Sequence, residues 1–539
     1  MQHEQQEQEQ EQEQEHQHEI GGRYSKYVLV ILVIVYIFNF IDRQILSILA
    51  EDIKADLGIT DSDIGFLYGT AFAIFYAVFG IPLGRLADTW VRKNLIALGL
   101  LFWSAMTALS GTARSFGALA FFRIGVGIGE ASASPAAFSM LADYFTPAQR
   151  ATVAGIYSSG IYIGAGIGIF LGGLILDGWQ GLYPDYNDAP FELKGWHVAF
   201  FAVGLPGILM SIWVASLKEP VRGISEGLVT PPHPHPFRET WNELRSLMPL
   251  INLVGLYQNG PGFAAVLTNI VGLIVVVGVA TLLVSLTGDT AQWVALGFGV
   301  YVAFSWAQNL KYADYVTFAM MFHSKTFIFT VSGIPFIAFI NYGLGFWGPP
   351  YMQRAFDLSA GDVGVIMGLC LAAGGWIGVT AGGIIADLLK RRYAMGRFFV
   401  CFASVVLCVP AGLGFALVES VNWAYFCFFA LSAFSPMWLG AAISTVNDLV
   451  LPRMRAIASA FYILMLTFIG LALGPYSIGL ASDYMASTGV SSAEALRTAM
   501  MLGLLALIPA AVNLTIAALN LKKDEETRLD RARALGEPI

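Results

Sequence analysis

Apolar runs long enough to cross a bilayer recur through this chain, and they constrain its fold more than any other feature. A membrane-spanning helix needs about 20 apolar residues, and six such windows occur in each half of the sequence. Backbone groups in lipid must be hydrogen-bonded within the segment, so runs of this length form helices. Only 13% of the residues are charged, against about 25% in soluble globular proteins. We therefore predict an all-α polytopic membrane protein with spans near residues 27–49, 63–86, 94–112, 116–143, 151–176, 196–217, 325–350, 361–387, 397–417, 421–449, 456–481 and 493–520.

The middle of the chain adds a polar linker and two further apolar runs. Residues 218–243 are polar and include the run PPHPHP, and an amphipathic stretch follows at 241–257. Apolar runs at 262–286 and 291–310 predict a membrane-inserted hairpin, which gives fourteen spans with both termini on the same side. The predicted organisation is a disordered acidic tail (1–22), an N-terminal six-helix bundle (23–217), a central linker with the hairpin (218–320), a C-terminal six-helix bundle (321–520) and a C-terminal tail (521–539).

Charge placement predicts the orientation in the membrane. Residues 1–20 contain seven glutamates and no Lys or Arg, so the rest of the chain carries a net charge of −1 although the whole carries −8. The Glu-Gln repeat of that tail indicates disorder, and we assign it no chemistry. By the positive-inside rule, the end rich in Lys and Arg lies in the cytoplasm together with both termini, and we expect a bacterial inner-membrane protein. The basic face carries Arg92, Lys93, Arg150, Lys390 and Arg391, and the acidic face carries Glu51, Asp52, Asp56 and Asp61.

Two segments of the sequence occur twice, once in each half. GRLADTWVRK at 84–93 aligns without a gap to GIIADLLKRR at 383–392, and DYFTPAQRA at 143–151 aligns to DLVLPRMRA at 448–456. A repeated membrane half is typical of secondary transporters, which hold a ligand between the repeats and rock one against the other.

Charged residues inside the spans are the candidates for chemistry. The run FFRIGVGIGEA at 121–131 places Arg123 and Glu130 seven residues apart on one helix face, and Asp42 and Arg43 lie in the first span. Each such ion is disfavoured by roughly 2.5–3.5 kcal/mol at a helix centre, so it usually faces a protein interior or a water-filled cavity. The glycines of this run lie inside an apolar span rather than after a strand, which argues against a dinucleotide loop and for close helix packing.

The segment 84–93 resembles the loop motif between the second and third helices of major facilitator superfamily transporters. The resemblance implies two pseudo-symmetric six-helix bundles, here with an extra two-helix hairpin in the central loop. It also implies a latch on the basic face, in which Gly84 permits close helix approach and Asp88 accepts bonds from a helix N-terminus or from Arg92. The implied gating set is Gly84, Asp88, Arg92, Asp143, Arg150, Asp387, Arg391, Asp448 and Arg455.

A narrower resemblance, to the spinster family, is carried by segments in both halves. These are NFIDRQILSILAEDIKADLGITDSDIGFL at 39–67, FFRIGVGIGEASASPAAFSMLADYF at 121–145, GWHVAFFAVGLPG at 195–207, LKEPVRG at 217–223 and FWGPPYMQRAF at 346–356. The resemblance implies alternating access and a lipid-like substrate of the lysophospholipid or sphingoid-phosphate type.

The expected site is a cavity that is polar on its N-terminal wall and apolar on its C-terminal wall. Asp42 and Glu130 are the proton-coupling candidates, because loss of an Arg contact could move a buried carboxyl through its titration range. An anionic head group would meet Arg43 and Arg123 beside Glu130. The acyl chain would lie along Tyr342, Phe346, Trp347, Phe434 and Trp438.

Other functions stay open at this level. A proton-coupled exporter of drugs or small polar metabolites could use the same fold, and a non-transporting sensor could have kept it. A membrane enzyme is disfavoured, because the sequence has no zinc-type His pair and no P-loop. We predict no cofactor and no metal. The expected partners are the lipid bilayer, an amphiphilic substrate and protons, without nucleic acid, and the expected state is a monomer.

Overall fold

The computed structural model describes residues 20–147, 149–226 and 233–537, and within these ranges the regular structure is helical, without strands. Most of the tail predicted to be disordered lies outside the described residues. Thirteen helices of the described chain are long and apolar enough to cross a membrane. Twelve of them match the twelve predicted windows, and the thirteenth belongs to the central insertion.

The N-terminal bundle contains six spans, two of which are broken. Helix α1 packs along α8, and α5 packs against both α6 and α9. The second span is broken at Gly69, where a Cβ atom would lie 2.6 Å from the carbonyl oxygen of Leu471 in the other half of the chain. The helices are α1 Arg23–Ile48, α2 Ala50–Leu57, α3 Asp61–Tyr68, α4 Thr70–Thr89, α5 Arg92–Ser110, α6 Phe116–Glu130, α7 Ala133–Tyr144, α8 Arg150–Leu182 and α9 Gly195–Ala215.

The central insertion differs from its prediction in two ways. The single amphipathic stretch at 241–257 is two helices, separated near Leu250, which has a φ of 67°. The second hairpin helix is not among the thirteen candidate spans, because polar residues such as Gln292 and Gln308 interrupt it. The predicted two-helix hairpin is present, and the count of fourteen spans stays a prediction. The helices are α10 Pro236–Leu247, α11 Asn252–Asn259, α12 Phe263–Thr287, α13 Thr290–Ala313 and α14 Tyr315–Phe322.

The C-terminal bundle repeats the arrangement of the N-terminal one. Helix α15 packs against the segment from 466 to 487, as α1 packs against α8, and α17 packs against α18 as α5 packs against α6. Its fifth span contains one π-helical stretch, Leu466–Ala472. The helices are α15 Lys325–Phe356, α16 Ala360–Arg392, α17 Gly396–Leu417, α18 Val421–Phe434, α19 Trp438–Asp448, α20 Arg455–Met465, α21 Leu473–Ser487, α22 Ser492–Gly503, α23 Leu507–Glu526 and α24 Arg528–Ala534.

The two bundles are packed together at the acidic face. Helix α8 lies against α16, and α3 lies against α21, so each seam joins one helix from each half. Toward the basic face, by contrast, a Cβ atom added at Gly80, Gly84 or Gly155 would meet no atom within 4 Å. The structure is therefore closed at its acidic end, and the candidate charges lie between that closure and the basic face.

Candidate functional site

Arg43 of α1 and Glu130 at the end of α6 form a buried ion pair. Arg43 Nε donates to Glu130 Oε2 at 2.7 Å, and both side chains are at least 90% buried. The guanidinium also lies over the ring of Phe72 at 4.2 Å and over Tyr76 at 4.8 Å. Aromatic faces attract a desolvated guanidinium, so the pair is held on two sides. Glu130 is thus bonded to another helix and not to Arg123, its neighbour in the sequence pattern.

Arg123 and Asp42 complete the charged centre. Arg123 Nη1 donates to the main-chain oxygen of Asp42 at 3.0 Å, and Arg123 is fully buried. Within the part of the chain that the structure describes, Arg123 Nε and Nη2, Asp42 Oδ1 and Glu130 Oε1 are buried without a hydrogen bond of normal geometry. Buried polar groups normally have a partner, and clusters without one are candidates for ligand or proton binding. All four predicted charged residues therefore lie in one cluster.

The C-terminal half contributes one polar side chain near this centre, and other uncharged polar groups line a cavity of the C-terminal bundle. Tyr342 is half-buried and lies within electrostatic range of Arg43. Beside it, the hydroxyl of Ser435 donates to Asn341 Oδ1 at 2.8 Å, and both residues line a small cavity with Ser432. This cavity lies within the C-terminal bundle, so the expectation of an apolar C-terminal wall stays a prediction. Sequence reasoning missed Asn341 and Ser435 because single Asn and Ser residues are common in spans and carry no pattern.

The predicted aromatic residues differ in their positions. Phe346 is fully buried and stacks on Tyr68 at 4.2 Å, and its carbonyl oxygen accepts the hydroxyl of Ser47. Trp347 is also fully buried, and its Nε1 donates to the carbonyl oxygen of Pro475 at 2.8 Å. Phe434 is half-buried, and Trp438 is buried. Phe346 and Trp347 thus take part in the packing of the closed acidic end, and Tyr342 and Phe434 are the better placed to meet a ligand.

On the basic face, Arg92 organises the N-terminal bundle. It is buried, forms an ion pair with Asp143, and donates from Nε to Glu219 Oε1 at 2.7 Å. Arg150 binds Glu226 and the carbonyl oxygen of Ala142. Asp88, in contrast, is exposed, and Gly84 faces open space. The bonds expected between Asp88 and Arg92 are thus replaced by bonds from Arg92 to other carboxylates in this conformation.

The C-terminal bundle has the equivalent of this contact, made by a different arginine. Arg397 pairs with Asp448, as Arg92 pairs with Asp143, and both pairs join residues 51 positions apart. Asp387 and Arg391 are exposed. Arg455 is exposed as well, and its Nε contacts the carbonyl oxygen of Asn447 at 3.4 Å. The gapless sequence alignment placed Arg391 opposite Arg92, whereas the structure gives that position to Arg397.

An ion cluster on the acidic face also joins the two halves. Arg354 of α15 donates to Asp61 at 2.7 and 2.8 Å and to Glu51 at 2.6 Å. Lys54 forms a second ion pair with Asp61. Sequence reasoning read these acids only as an orientation signal, because their arginine partner lies about 300 residues away.

These features define a class of protein: a polytopic membrane transporter of two pseudo-symmetric bundles, the N-terminal one with a charged centre. The chain belongs to the major facilitator superfamily, whose family model matches residues 32–475. It is spinster-like within that superfamily. Transport, and not enzymatic catalysis, is therefore its function.

Individual relatives support this assignment. The chain is 27% identical over 474 residues to an MFS-type efflux pump of Mycolicibacterium smegmatis, covering 88% of this chain and 87% of the pump. It is 23% identical to the protein spinster of Drosophila melanogaster, covering 86% of this chain and 62% of the fly protein. Among solved structures, a bacterial homologue of the human lysosomal transporter spinster, in an inward-facing and unoccupied conformation, matches with a TM-score of 0.66 and 25% identity. That match covers 94% of this chain and 98% of the homologue.

Proposed function

We propose that this protein is a proton-coupled secondary transporter that moves an anionic, lipid-like amphiphile by alternating access. The observation that carries the proposal is the buried centre of Arg43, Glu130, Arg123 and Asp42, in which part of the hydrogen-bonding capacity is unused. Buried charges that are only partly paired are disfavoured unless a ligand or a proton completes them.

Head-group recognition would use the two arginines. Arg123 has two guanidinium nitrogens, Nε and Nη2, without hydrogen bonds, and Arg43 uses only Nε toward Glu130. A phosphate or carboxylate accepts paired N–H groups from a guanidinium, which gives strong and directional bonds. The half-buried Tyr342 and Phe434 of the other bundle offer apolar surface for the chain of the same molecule. The implied substrate class of spinster-like carriers, lysophospholipids and sphingoid phosphates, has this division into anion and chain.

Proton coupling would use the two carboxylates. Glu130 and an arriving anion would compete for Arg43. Protonation of Glu130 would neutralise its carboxylate and break the ion pair, which would leave the guanidinium free to bind the anion. Proton and anion binding would then favour each other, which is the linkage that a coupled carrier needs. Asp42, whose main-chain oxygen accepts a hydrogen bond from Arg123 and whose Oδ1 is buried without a partner, is the second proton candidate.

Orientation and gating form part of the proposal. We place both termini and the basic face in the cytoplasm of a bacterial inner membrane, from the positive-inside rule. The contacts of Arg92 with Asp143 and of Arg397 with Asp448 then stiffen the cytoplasmic ends of each bundle. Asp88, Gly84 and their counterparts Asp387 and Gly383 remain free to form a latch when that face closes. We expect the monomer to be the working unit.

A second candidate function is the export of drugs or small polar solutes. The observation that favours it is the efflux pump of Mycolicibacterium smegmatis, which aligns with this chain over almost its whole length. The two candidates differ in chemistry, because an exporter of cations would use Glu130 and Asp42 as the ligands, with the arginines as structural partners.

Uptake into liposomes tests the proposal. Purified protein is reconstituted, and uptake of labelled lysophosphatidic acid is measured with and without an inward proton gradient, beside protein-free liposomes. We expect uptake well above the protein-free control and faster with the gradient. Uptake of a cationic dye without any uptake of lysolipid would favour the second candidate, and gradient-independent lysolipid uptake would remove proton coupling.

A further inference from the structure

The two seams of the acidic face are built from repeated sequence. Residues 60–65 at the start of α3 read TDSDIG, and residues 359–364 at the start of α16 read SAGDVG. Residues 173–177 near the end of α8 read GLILD, and residues 479–483 near the end of α21 read GLASD. Because α3 packs on α21 and α16 packs on α8, the two seams are copies of one another, related by the exchange of the bundles.

In each seam, a carboxylate of one bundle caps a helix N-terminus of the other. Asp483 Oδ2 accepts the N–H of Ser62 at 2.7 Å, and its Oδ1 accepts the N–H of Asp61 at 3.0 Å. At the equivalent place, Asp177 Oδ2 accepts the N–H of Gly361 at 2.8 Å. The first N–H groups of a helix lack partners inside the helix and carry partial positive charge, so a carboxylate stabilises them.

Equivalent glycines bring the backbones into contact beside both caps. A Cβ atom at Gly65 would lie 2.6 Å from the carbonyl oxygen of Pro475, and one at Gly364 would lie 2.9 Å from that of Ile169. The helices therefore touch backbone to backbone, and the caps form only when this contact is made. A separation of a few ångströms would remove both at once, because hydrogen bonds weaken steeply with distance.

We propose that Asp177 and Asp483 are a matched pair of gate residues, which hold the acidic face closed by capping helices α16 and α3 of the opposite bundle. The inference rests on the alternating access of the proposed function. Arg354 and Ser482 contact Asp61 on the α3/α21 seam, so those contacts reinforce one seam, whereas the carboxylate cap is common to both.

Distance measurements between the bundles test the gate. Leu182 ends α8 and is 74% exposed, and Tyr484 lies in α21 and is 67% exposed, so cysteines at these positions carry spin labels on opposite bundles of the acidic face. The labelling cysteines are introduced into a variant in which the four native cysteines, Cys370, Cys401, Cys408 and Cys427, are replaced. Double electron–electron resonance of the labelled protein in nanodiscs then gives the populations of short and long distances between the two labels. It is measured for Asp177→Ala, Asp483→Ala and the double variant. Asp188→Ala, at an exposed carboxylate of the same face, is the matched control.

We expect each single variant to raise the ratio of open to closed acidic face at least tenfold, since a hydrogen bond to a charged group is lost. The two seams are separate, so the double variant should multiply the single effects. Distances unchanged from those of Asp188→Ala would overturn the gate. If Asp483→Ala fails to fold, Asp483→Asn keeps the side-chain size and removes the charge, and it should shift the ratio in the same direction.

The same samples separate failure of the gate from failure of the proposed function. Alternating access requires that the cap-intact protein change its distance distribution when lysophosphatidic acid and a low pH are supplied. If the protein with both carboxylate caps responds and the cap variants match Asp188→Ala, only the assignment of Asp177 and Asp483 as gate residues is refuted. A cap-intact protein that never responds, with variants that open, supports the gate and refutes alternating access driven by this substrate.

Discussion

Arg43 is bonded within the protein, and in the proposed function it also binds the anion that reaches the centre of the molecule. Its Nε is bonded to Glu130, and three aromatic rings surround its guanidinium within 4.8 Å. The rings limit its rotation, so its free N–H groups have a fixed direction. An ion pair of this kind is poor evidence for stability, because desolvation offsets most of the attraction. The proposed function explains its place in the middle of a membrane bundle by exchange of partners during transport.

We predict that Glu130→Gln lowers the transport rate at least tenfold and leaves the protein folded. The amide can still accept the hydrogen bond of Arg43, but it cannot take up a proton, so the linkage between proton and anion is lost. The measurement is lysolipid uptake under a proton gradient, with circular dichroism and size-exclusion chromatography as tests of folding. Glu494→Gln, at an exposed site, is the matched control. Wild-type uptake by Glu130→Gln would remove this carboxylate from the mechanism.

The raised pKa of the Asp52 carboxyl in α2 predicts that the stability of the protein depends on pH. Burial raises the pKa of the Asp52 carboxyl to about 6, with Glu51 adding to the rise and the hydrogen bond from Gln180 opposing it. Between the ordinary pKa near 4 and about 6, the folded protein therefore binds more protons than the unfolded chain. The free energy of unfolding should fall as pH rises through this window.

The variant Asp52→Asn removes that contribution. The melting temperature of the variant, minus that of the wild type, should increase from pH 4 to pH 6 and then stay constant. Asp188→Asn, at an exposed carboxylate of the same face, is the matched control. A flat difference for Asp52→Asn would show that the carboxyl titrates normally.

At the scale of elements, the inserted hairpin is joined to both bundles by one of its helices. Phe298 of α13 stacks on Phe75 of α4, and Trp306 stacks on Phe461 of α20. Tyr476 of α21 donates to Asp289 at 2.6 Å. Helix α12, by contrast, has an apolar surface with none of its most hydrophobic 18 residues buried, as expected for a lipid-facing helix. Helix α13 therefore covers the side of the molecule where the second span of the N-terminal bundle (α3 and α4) meets the fifth span of the C-terminal bundle (α20 and α21).

At Gly299, helix α13 lies against both bundles. A Cβ atom there would lie 2.9 Å from Ile74 Cδ1 and 2.9 Å from the ring of Phe468. We predict that Gly299→Leu lowers stability by about 1–3 kcal/mol through overpacking, seen as a lower melting temperature in detergent. Gly297→Leu is the matched control, since its Cβ would meet no atom nearer than 3.5 Å. Equal melting temperatures for the two variants would mean that α13 is loosely attached.

At the scale of the whole molecule, the fold was predictable because its signals are local. Twelve apolar windows and two repeated segments suffice for two six-helix bundles. The particular partners of distant residues were not predictable. The partner of Glu130 is 87 residues away, and Arg397 was missed because it follows Asp387 by ten residues, whereas Arg92 follows Asp88 by four. The polarity of α13 likewise reflects burial against the bundles, which hydropathy alone does not reveal.

Covalent connection of the bundles at the acidic face should stop transport. A Cβ atom at Gly361 would lie 3.4 Å from Asp177 Cβ, close to the separation of about 3.5–4.5 Å found in disulfides. In a background without the four native cysteines, we predict that Asp177→Cys with Gly361→Cys forms a disulfide on oxidation. Lysolipid uptake should then fall below a tenth of the reduced value and return when dithiothreitol is added. In the single variants Asp177→Cys and Gly361→Cys, the same oxidant should leave the uptake at the value that each variant has when reduced. Undiminished uptake by the cross-linked protein would mean that the acidic face stays closed throughout the cycle, and a rocking motion of two bundles would then be ruled out.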